Sequence, residues 1–178
     1  MTRVLIADDD DLMRAGLVEL LSGEPEIEIL GEASTGRQAV ERARRLGPDV
    51  VLMDVRMPDL DGIQATAELA LAAPNTKVVL LTTFEQDDYV FGALRAGASG
   101  FLLKRTRPEE LIAAVHTIAA GDSLLSPSLT RLVIDRMAQQ PLPALAAEAK
   151  LEELTRRERE VLELIARGLS NREIAAEL

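Results

Sequence analysis

Asp49-Val50-Val51-Leu52-Met53-Asp54-Val55-Arg56-Met57-Pro58 (residues 49–58) sets four apolar residues in a row directly before an acid. Unbroken apolarity over so short a run suits a strand buried on both faces, rather than one with a wet side. The same pattern recurs at Val4 to Ala7, Val78 to Leu81 and Gly100 to Leu103. Ile27 to Ala33 is more mixed and reads as an edge strand. Amphipathic helical stretches fill the gaps, at Leu12 to Leu21, Gly36 to Leu46, Ile63 to Ala73, Asp87 to Ala96 and Pro108 to Ala120. Gly23, Gly47-Pro48, Pro74-Asn75, Gly97 and Gly121 supply the residues at which helices stop. Five alternating units predict an α/β fold, a right-handed (βα)5 arrangement around a parallel sheet.

Composition narrows the setting. With 178 residues, 47% of them hydrophobic, the chain can bury one core and part of a second. No apolar run approaches the roughly 20 residues of a membrane span, and Met1-Thr2-Arg3 leads straight into a strand, so a cytoplasmic protein without membrane contact is expected. Cysteine is absent, so a metal would be held by oxygen or by the single histidine, His116. Oxygen donors favour magnesium or a similar hard cation. A net charge of −10 argues against nucleic-acid binding by the chain as a whole. The surplus is local: residues 1–121 hold 12 Lys/Arg against 20 Asp/Glu, and residues 122–178 hold 8 against 10.

Past Gly121 the alternation ceases, and no further strand is expected. Ser126-Pro127-Ser128 opens a helix with Leu129, Leu132, Val133 and Met137 on one side, which Gln139-Gln140-Pro141-Leu142-Pro143 breaks. Ala144 to Lys150 reads as an Ala-rich linker. Thr155-Arg156-Arg157-Glu158 and Ser170-Asn171-Arg172-Glu173 are two capping boxes, each starting a helix. The expected divisions are 1–121, a helical linker over 122–150, and a second domain beginning within 151–178.

Ligands of an open parallel sheet sit outside the C-terminal strand ends. There stand Asp8 and Asp9, Asp54, Thr82 and Lys104. In a strand order of 2-1-3-4-5 these residues share one crevice. Three neighbouring carboxylates repel one another until a cation joins them, and Mg²⁺ takes one or two carboxylates together with phosphate oxygens. Asp54, after the central strand, is then the candidate nucleophile for an acyl phosphate, with Asp8 and Asp9 as metal ligands. Lys104 and the Thr82 hydroxyl are placed to meet phosphoryl oxygens. Asp10 and Asp11 read as capping and solvated acids, and His116 as a surface residue.

Together, Asp8-Asp9, Asp54-Val55-Arg56-Met57-Pro58 with Asp61-Gly62, Thr82, and Gly97 through Lys104 resemble the receiver domain of two-component response regulators, over residues 3–121. The resemblance implies a flavodoxin-like fold and phosphate transfer from the histidine of a sensor kinase to Asp54. It also implies Mg²⁺ bound by Asp8, Asp9, Asp54 and the backbone carbonyl of Arg56. Thr82 and Phe101 match the family's switch pair, so phosphorylation would draw the hydroxyl toward the phosphate and turn the ring inward. The face of the fourth helix, fifth strand and fifth helix would be reshaped, with homodimerisation as the consequence. Such a domain is a phosphoacceptor rather than an enzyme, with at most slow loss of its own phosphate. One departure is that Arg105, not proline, follows Lys104, so a trans bond is expected.

Leu154 to Leu162 with Gly168 to Ala175 resembles the opening of a LuxR-type helix-turn-helix domain, which implies the NarL/FixJ group of transcription regulators. Base reading belongs to the second helix of that motif. That helix is absent from these 178 residues, so specific DNA binding is expected only of a full-length form. Leu162, Ile165, Ile174 and Leu178 would lack their cover and be disordered or packed on another chain.

Three alternatives compete. An aspartyl-phosphate enzyme of the haloacid dehalogenase kind needs a second acid two residues after its nucleophile, where Arg56 stands. A flavodoxin-like cofactor binder needs a phosphate loop after the first strand, where four aspartates stand instead. A phospho-dependent interaction module without DNA output is disfavoured by the LuxR-like tail.

Overall fold

The computed structural model describes residues 1–83, 87–125 and 127–139, together with Thr155, Glu158 and Val161. Strand and helix alternate as β1 (Thr2–Ala7), α1 (Asp11–Ser22), β2 (Ile27–Ala33), α2 (Gly36–Leu46), β3 (Val50–Asp54) and α3 (Gly62–Ala72). They continue as β4 (Lys77–Thr82), α4 (Asp87–Ala96), β5 (Gly100–Leu103), α5 (Pro108–Ala119), β6 (Leu124–Leu125) and α6 (Pro127–Gln139). The sheet is parallel throughout, in the order β2-β1-β3-β4-β5-β6. β2 is an edge strand, as its mixed composition predicts.

Strand pleating divides the core into two layers. Val4, Ile6, Val50, Leu52, Val79, Leu81 and Leu102 pack with Leu17 and Leu21 of α1 and with Leu111, Val115 and Ile118 of α5. The alternate residues Leu5, Ala7, Val51, Met53, Leu80 and Phe101 pack with Val40, Leu69 and Val90 of α2, α3 and α4. The four interior runs, in β1, β3, β4 and β5, therefore need apolar residues on both faces, which is why they are unbroken in the sequence.

The starts of α1, α2 and α3 are fixed by side chains. Asp10 caps α1 by accepting from the backbone N–H groups of Leu12 and Met13. Asp61 and Gln64 close a capping box on α3. Gly47 ends α2 at φ 60°, where a side chain would be strained. Among the described residues no peptide bond is cis, so Lys104–Arg105 is trans.

The expectation that no strand follows Gly121 is corrected. Gly121, at φ 105°, turns the chain back, and Leu124 donates its N–H to the Ser99 carbonyl at 3.0 Å. Gly100 then pairs with Leu124 and Phe101 with Leu125, so β5 is interior. Two residues are too few to show a period, and β6 exists only because β5 offers an edge.

Packing likewise continues past Gly121, and the compact unit formed by the chain runs Met1–Val133. Leu129 is 1% exposed within the layer that holds Phe101, and Leu132 and Val133 lie against the same layer. Leu129→Ala is therefore expected to cost about 2 kcal/mol of receiver stability, read by urea denaturation. A change under about 0.5 kcal/mol, typical of surface sites, would mean that α6 is not part of this core.

Within the second unit, Ile134–Leu178, Thr155 and Glu158 form the expected capping box. The Thr155 N–H donates to the Glu158 carboxylate at 2.8 Å, and the Glu158 N–H donates to Thr155 Oγ1 at 3.3 Å. The Ala-rich linker, the Ser170 capping box, the side chain of Met137, and Leu162, Ile165, Ile174 and Leu178 lie outside the described residues.

Candidate functional site

Asp8, Asp54 and Lys104 are positioned by backbone bonds that carry the sheet ladder one residue past a strand. The Asp8 N–H donates to the Ala33 carbonyl at 3.0 Å, Val55 to Leu81 at 3.0 Å, and Lys104 to Thr82 at 2.7 Å. These bonds hold the ends of β1, β3 and β5 level, and the side chains that follow converge.

Lys104 Nζ lies 2.7 Å from Asp8 Oδ2 and 3.2 Å from Asp54 Oδ1. Asp8 is fully buried and Asp54 is 5% exposed. The ammonium thus bridges two carboxylates that would otherwise repel each other in a low-dielectric crevice. Asp9 is exposed, yet Asp8, Asp9 and Asp54 each offer a carboxylate oxygen within 4.8 Å of the others. Thr82, 3% exposed, ends β4 beside Leu103 of β5, while Asp54 pairs with Leu81 across β3 and β4.

Burial raises the Asp54 carboxyl from its ordinary 3.8 to about 6. Lys104 opposes that rise, Asp8 adds to it, and the backbone N–H of Arg56 helps hold the ionised form. Burial pulls the Lys104 ammonium down, but its bonds to Asp8 and Asp54 outweigh this and raise it. The lysine is therefore charged wherever Asp54 titrates.

The donor set suits a hard cation. Buried Asp8 Oδ2 has its ion pair with Lys104 but no well-aligned hydrogen bond among the described residues. Asp8, Asp54 and solvent-facing Asp9 together supply oxygen and excess negative charge. Asp9 and Arg56 also line one cleft of about 410 Å³, bounded by Met57, Pro58, Asp61 and Tyr89. Of the three carboxylates, Asp9 is the one that lines this cleft.

The remaining expectations fall as follows. Asp10 caps α1, and Asp11 pairs with Arg14, so neither joins the cluster. Phe101 is 1% exposed, so the inward position expected of the ring after phosphorylation is the one it occupies here. Two residues about the site make contacts that sequence reading did not assign. Gly62 lies against the Asp54 carbonyl so closely that an added Cβ would stand 2.0 Å from its oxygen. Arg14 donates to the Asp8 backbone carbonyl at 2.8 Å. Gly62 gives a weak signal, since glycine after a capping Asp is unremarkable; Arg14 gives none.

Comparison with known proteins decides the family. The pattern described as response regulator receiver domain matches residues 4–116, and that described as bacterial regulatory proteins, luxR family, matches residues 152–178. The chain belongs to the response regulators.

Relatives of this response regulator agree along its whole length. It is 42% identical to the uncharacterised transcriptional regulatory protein YxjL of Bacillus subtilis, across 99% of this chain and 80% of that protein. It is 39% identical to the transcriptional regulatory protein LiaR of the same organism, across 100% and 82%. Among solved structures, ChrA, a response regulator of a heme-sensing two-component system, is 34% identical with a TM-score of 0.64, covering 99% of this chain and 80% of that one. A LuxR-family response regulator from Aurantimonas is 27% identical with a TM-score of 0.73, covering 78% and 99%. The flavodoxin-like receiver fold and the role in two-component regulation of transcription follow from these matches. Among the described residues no helix is long and apolar enough to cross a membrane.

Proposed function

We propose that Asp54 is the phosphoacceptor of this response regulator, taking a phosphoryl group from the phosphohistidine of a sensor kinase with Mg²⁺ held by Asp8, Asp9, Asp54 and the Arg56 carbonyl. The observation that carries this is the placement of a buried Asp54 carboxylate 3.2 Å from Lys104 Nζ, within an acidic triad whose Asp9 lines a cleft. An Asp54 oxygen attacks phosphorus as the P–N bond to histidine breaks, and the departing imidazole nitrogen takes a proton from water. Bound Mg²⁺ supplies charge neutralisation for the incoming phosphoryl oxygens. Lys104 supplies the second positive charge, moving from its ion pairs to a phosphoryl oxygen, and Thr82 offers a hydroxyl donor from the end of β4.

Thr82 and Phe101 form the switch in this reading. β6 and Leu129 belong to the layer around Phe101, so a change in the ring position reaches the start of α6 directly. We assign residues 1–121 to the receiver, 122–150 to a helical linker whose first turns pack on it, and 151 onward to the DNA-binding region. Phosphorylation favours a homodimer, DNA is the partner of the luxR-type region in the full-length form, and the protein works in the cytoplasm. Any loss of phosphate by the protein's own action is slow, because Arg56 stands where an aspartyl-phosphate enzyme needs a second acid.

The test is incubation with acetyl phosphate and Mg²⁺, read by intact mass. Wild type is expected to gain one phosphoryl group, and Asp54→Ala none. Label on Asp54→Ala at the wild-type level would refute the assignment.

A further inference from the structure

Arg14 lies in the second turn of α1, behind the acidic crevice, with a side chain only 15% exposed. Its guanidinium is a three-way fork. Nη1 donates to the backbone carbonyl of Asp8 at 2.8 Å, Nε donates to Glu32 of β2 at 3.0 Å, and Nη2 pairs with Asp11 of α1. One rigid, planar group therefore ties the exit of β1 to its neighbouring strand and to the following helix.

The carbonyl it holds belongs to the Asp8–Asp9 peptide. Asp9 is exposed, so packing does not orient its side chain, and the orientation of that peptide decides where the carboxylate points. The Asp8 side chain is held on its other flank, with Oδ1 accepting from the Asp10 N–H at 3.0 Å. The Asp8 N–H is tied to Ala33. Without Arg14, the carbonyl is the one polar group of Asp8 left without its side-chain anchor.

We infer that Arg14 is a positioning residue for the cation site: by fixing the Asp8–Asp9 peptide, it aims the Asp9 carboxylate at the ion held with Asp8 and Asp54. This rests on the reading of those three acids as the Mg²⁺ ligands. Groups behind metal ligands commonly govern affinity about 10- to 100-fold when removed. Charge and positioning make opposite predictions here. Arg14 carries a positive charge near the ion, so its removal by Coulombic repulsion alone would tighten Mg²⁺ binding. Loss of positioning would weaken it.

The experiment is calorimetric titration of the full chain with MgCl₂ alone, for wild type, Arg14→Met, Arg14→Lys and Asp9→Asn. An amide ¹H–¹⁵N spectrum establishes that each variant is folded. Mg²⁺ affinity is expected to fall about tenfold in Arg14→Met. It should fall by a similar factor in Arg14→Lys, which keeps the charge but cannot span three acceptors. Affinity equal to or tighter than wild type in folded Arg14→Met, with Asp9→Asn weakened, overturns the role of Arg14 and leaves the metal site standing. Unchanged affinity in Asp9→Asn overturns the metal-site reading itself. Should Arg14→Met lose the native spectrum, Arg14→Lys decides: weakened binding supports positioning, and wild-type binding removes it.

Discussion

Gly62→Ala is expected to destabilise the receiver by 3 kcal/mol or more and to slow phosphorylation of whatever remains folded. The first residue of α3 packs directly on the chain leaving β3, with its N–H donating to the Val55 carbonyl at 2.9 Å. A Cβ there would lie 2.0 Å from the Asp54 carbonyl oxygen, 2.9 Å from its carbon and 3.1 Å from Leu80 Cδ2. Two of those atoms are backbone of the central strand and cannot swing aside, so either α3 lifts or the peptide of Asp54 shifts. About 3 kcal/mol lies at the upper end of what overpacking costs, which suits a clash with main chain rather than a flexible side chain. Gly16→Ala is the control: nothing lies within 4 Å of its added Cβ, and alanine gains up to about 1 kcal/mol over glycine inside a helix. Urea denaturation of the pair separates the two cases. A Gly62→Ala protein within about 1 kcal/mol of wild type would show that the close approach does not constrain the site.

The contrast between Gly62 and Asp54 shows what a sequence of this kind reveals. Asp8, Asp54, Thr82 and Lys104 were legible because a parallel sheet directs whatever follows each strand to one edge, and buried strands advertise themselves by unbroken apolarity. Element order and the crevice follow from periodicity alone. Distances between elements do not. Gly62 belongs to the receiver-like motif and Gly16 does not, but that one touches a strand and the other nothing is seen only in the structure. Arg14 is one of several arginines on helices, and only the meeting of β1, β2 and α1 gives it three acceptors. β6 was missed, and Leu129 was read on an apolar helix face but not as receiver core, for a related reason. Leu124-Leu125 is a strand only because β5 lies open beside it, and Leu129 becomes core only once Gly121 has turned the chain. The bridging of Asp8 and Asp54 by Lys104 is also tertiary: sequence reading assigned the lysine to phosphoryl oxygens, whereas the structure shows it holding two carboxylates together.

That bridge is incomplete compensation, and the Asp54→Asn variant should expose it. Burial raises the Asp54 carboxyl to about 6 in the folded protein, against 3.8 as its ordinary value. The folded state therefore binds the proton more tightly than the unfolded chain. Its stability falls as pH rises through the interval from 3.8 to about 6, and the full penalty is present above that interval. At about 1.4 kcal/mol per tenfold difference in proton affinity, the ionised carboxylate costs the metal-free protein about 3 kcal/mol at neutral pH. Asparagine keeps the shape and removes the charge, and Lys104 still pairs with Asp8. Metal-free Asp54→Asn should therefore exceed wild type by about 3 kcal/mol near pH 7.5, with the gap shrinking toward pH 4. Urea denaturation in the presence of a chelator measures this, and a gap independent of pH, or absent at pH 7.5, would show that Asp54 is not held in strained ionisation. Adding Mg²⁺ should then stabilise wild type more than Asp54→Asn, because an ion that binds the folded state with the help of the third carboxylate draws the equilibrium toward it. The destabilised carboxylate is what a phosphoacceptor needs: a nucleophile whose charge is poorly satisfied by its own protein gains most from a cation and an incoming phosphoryl group.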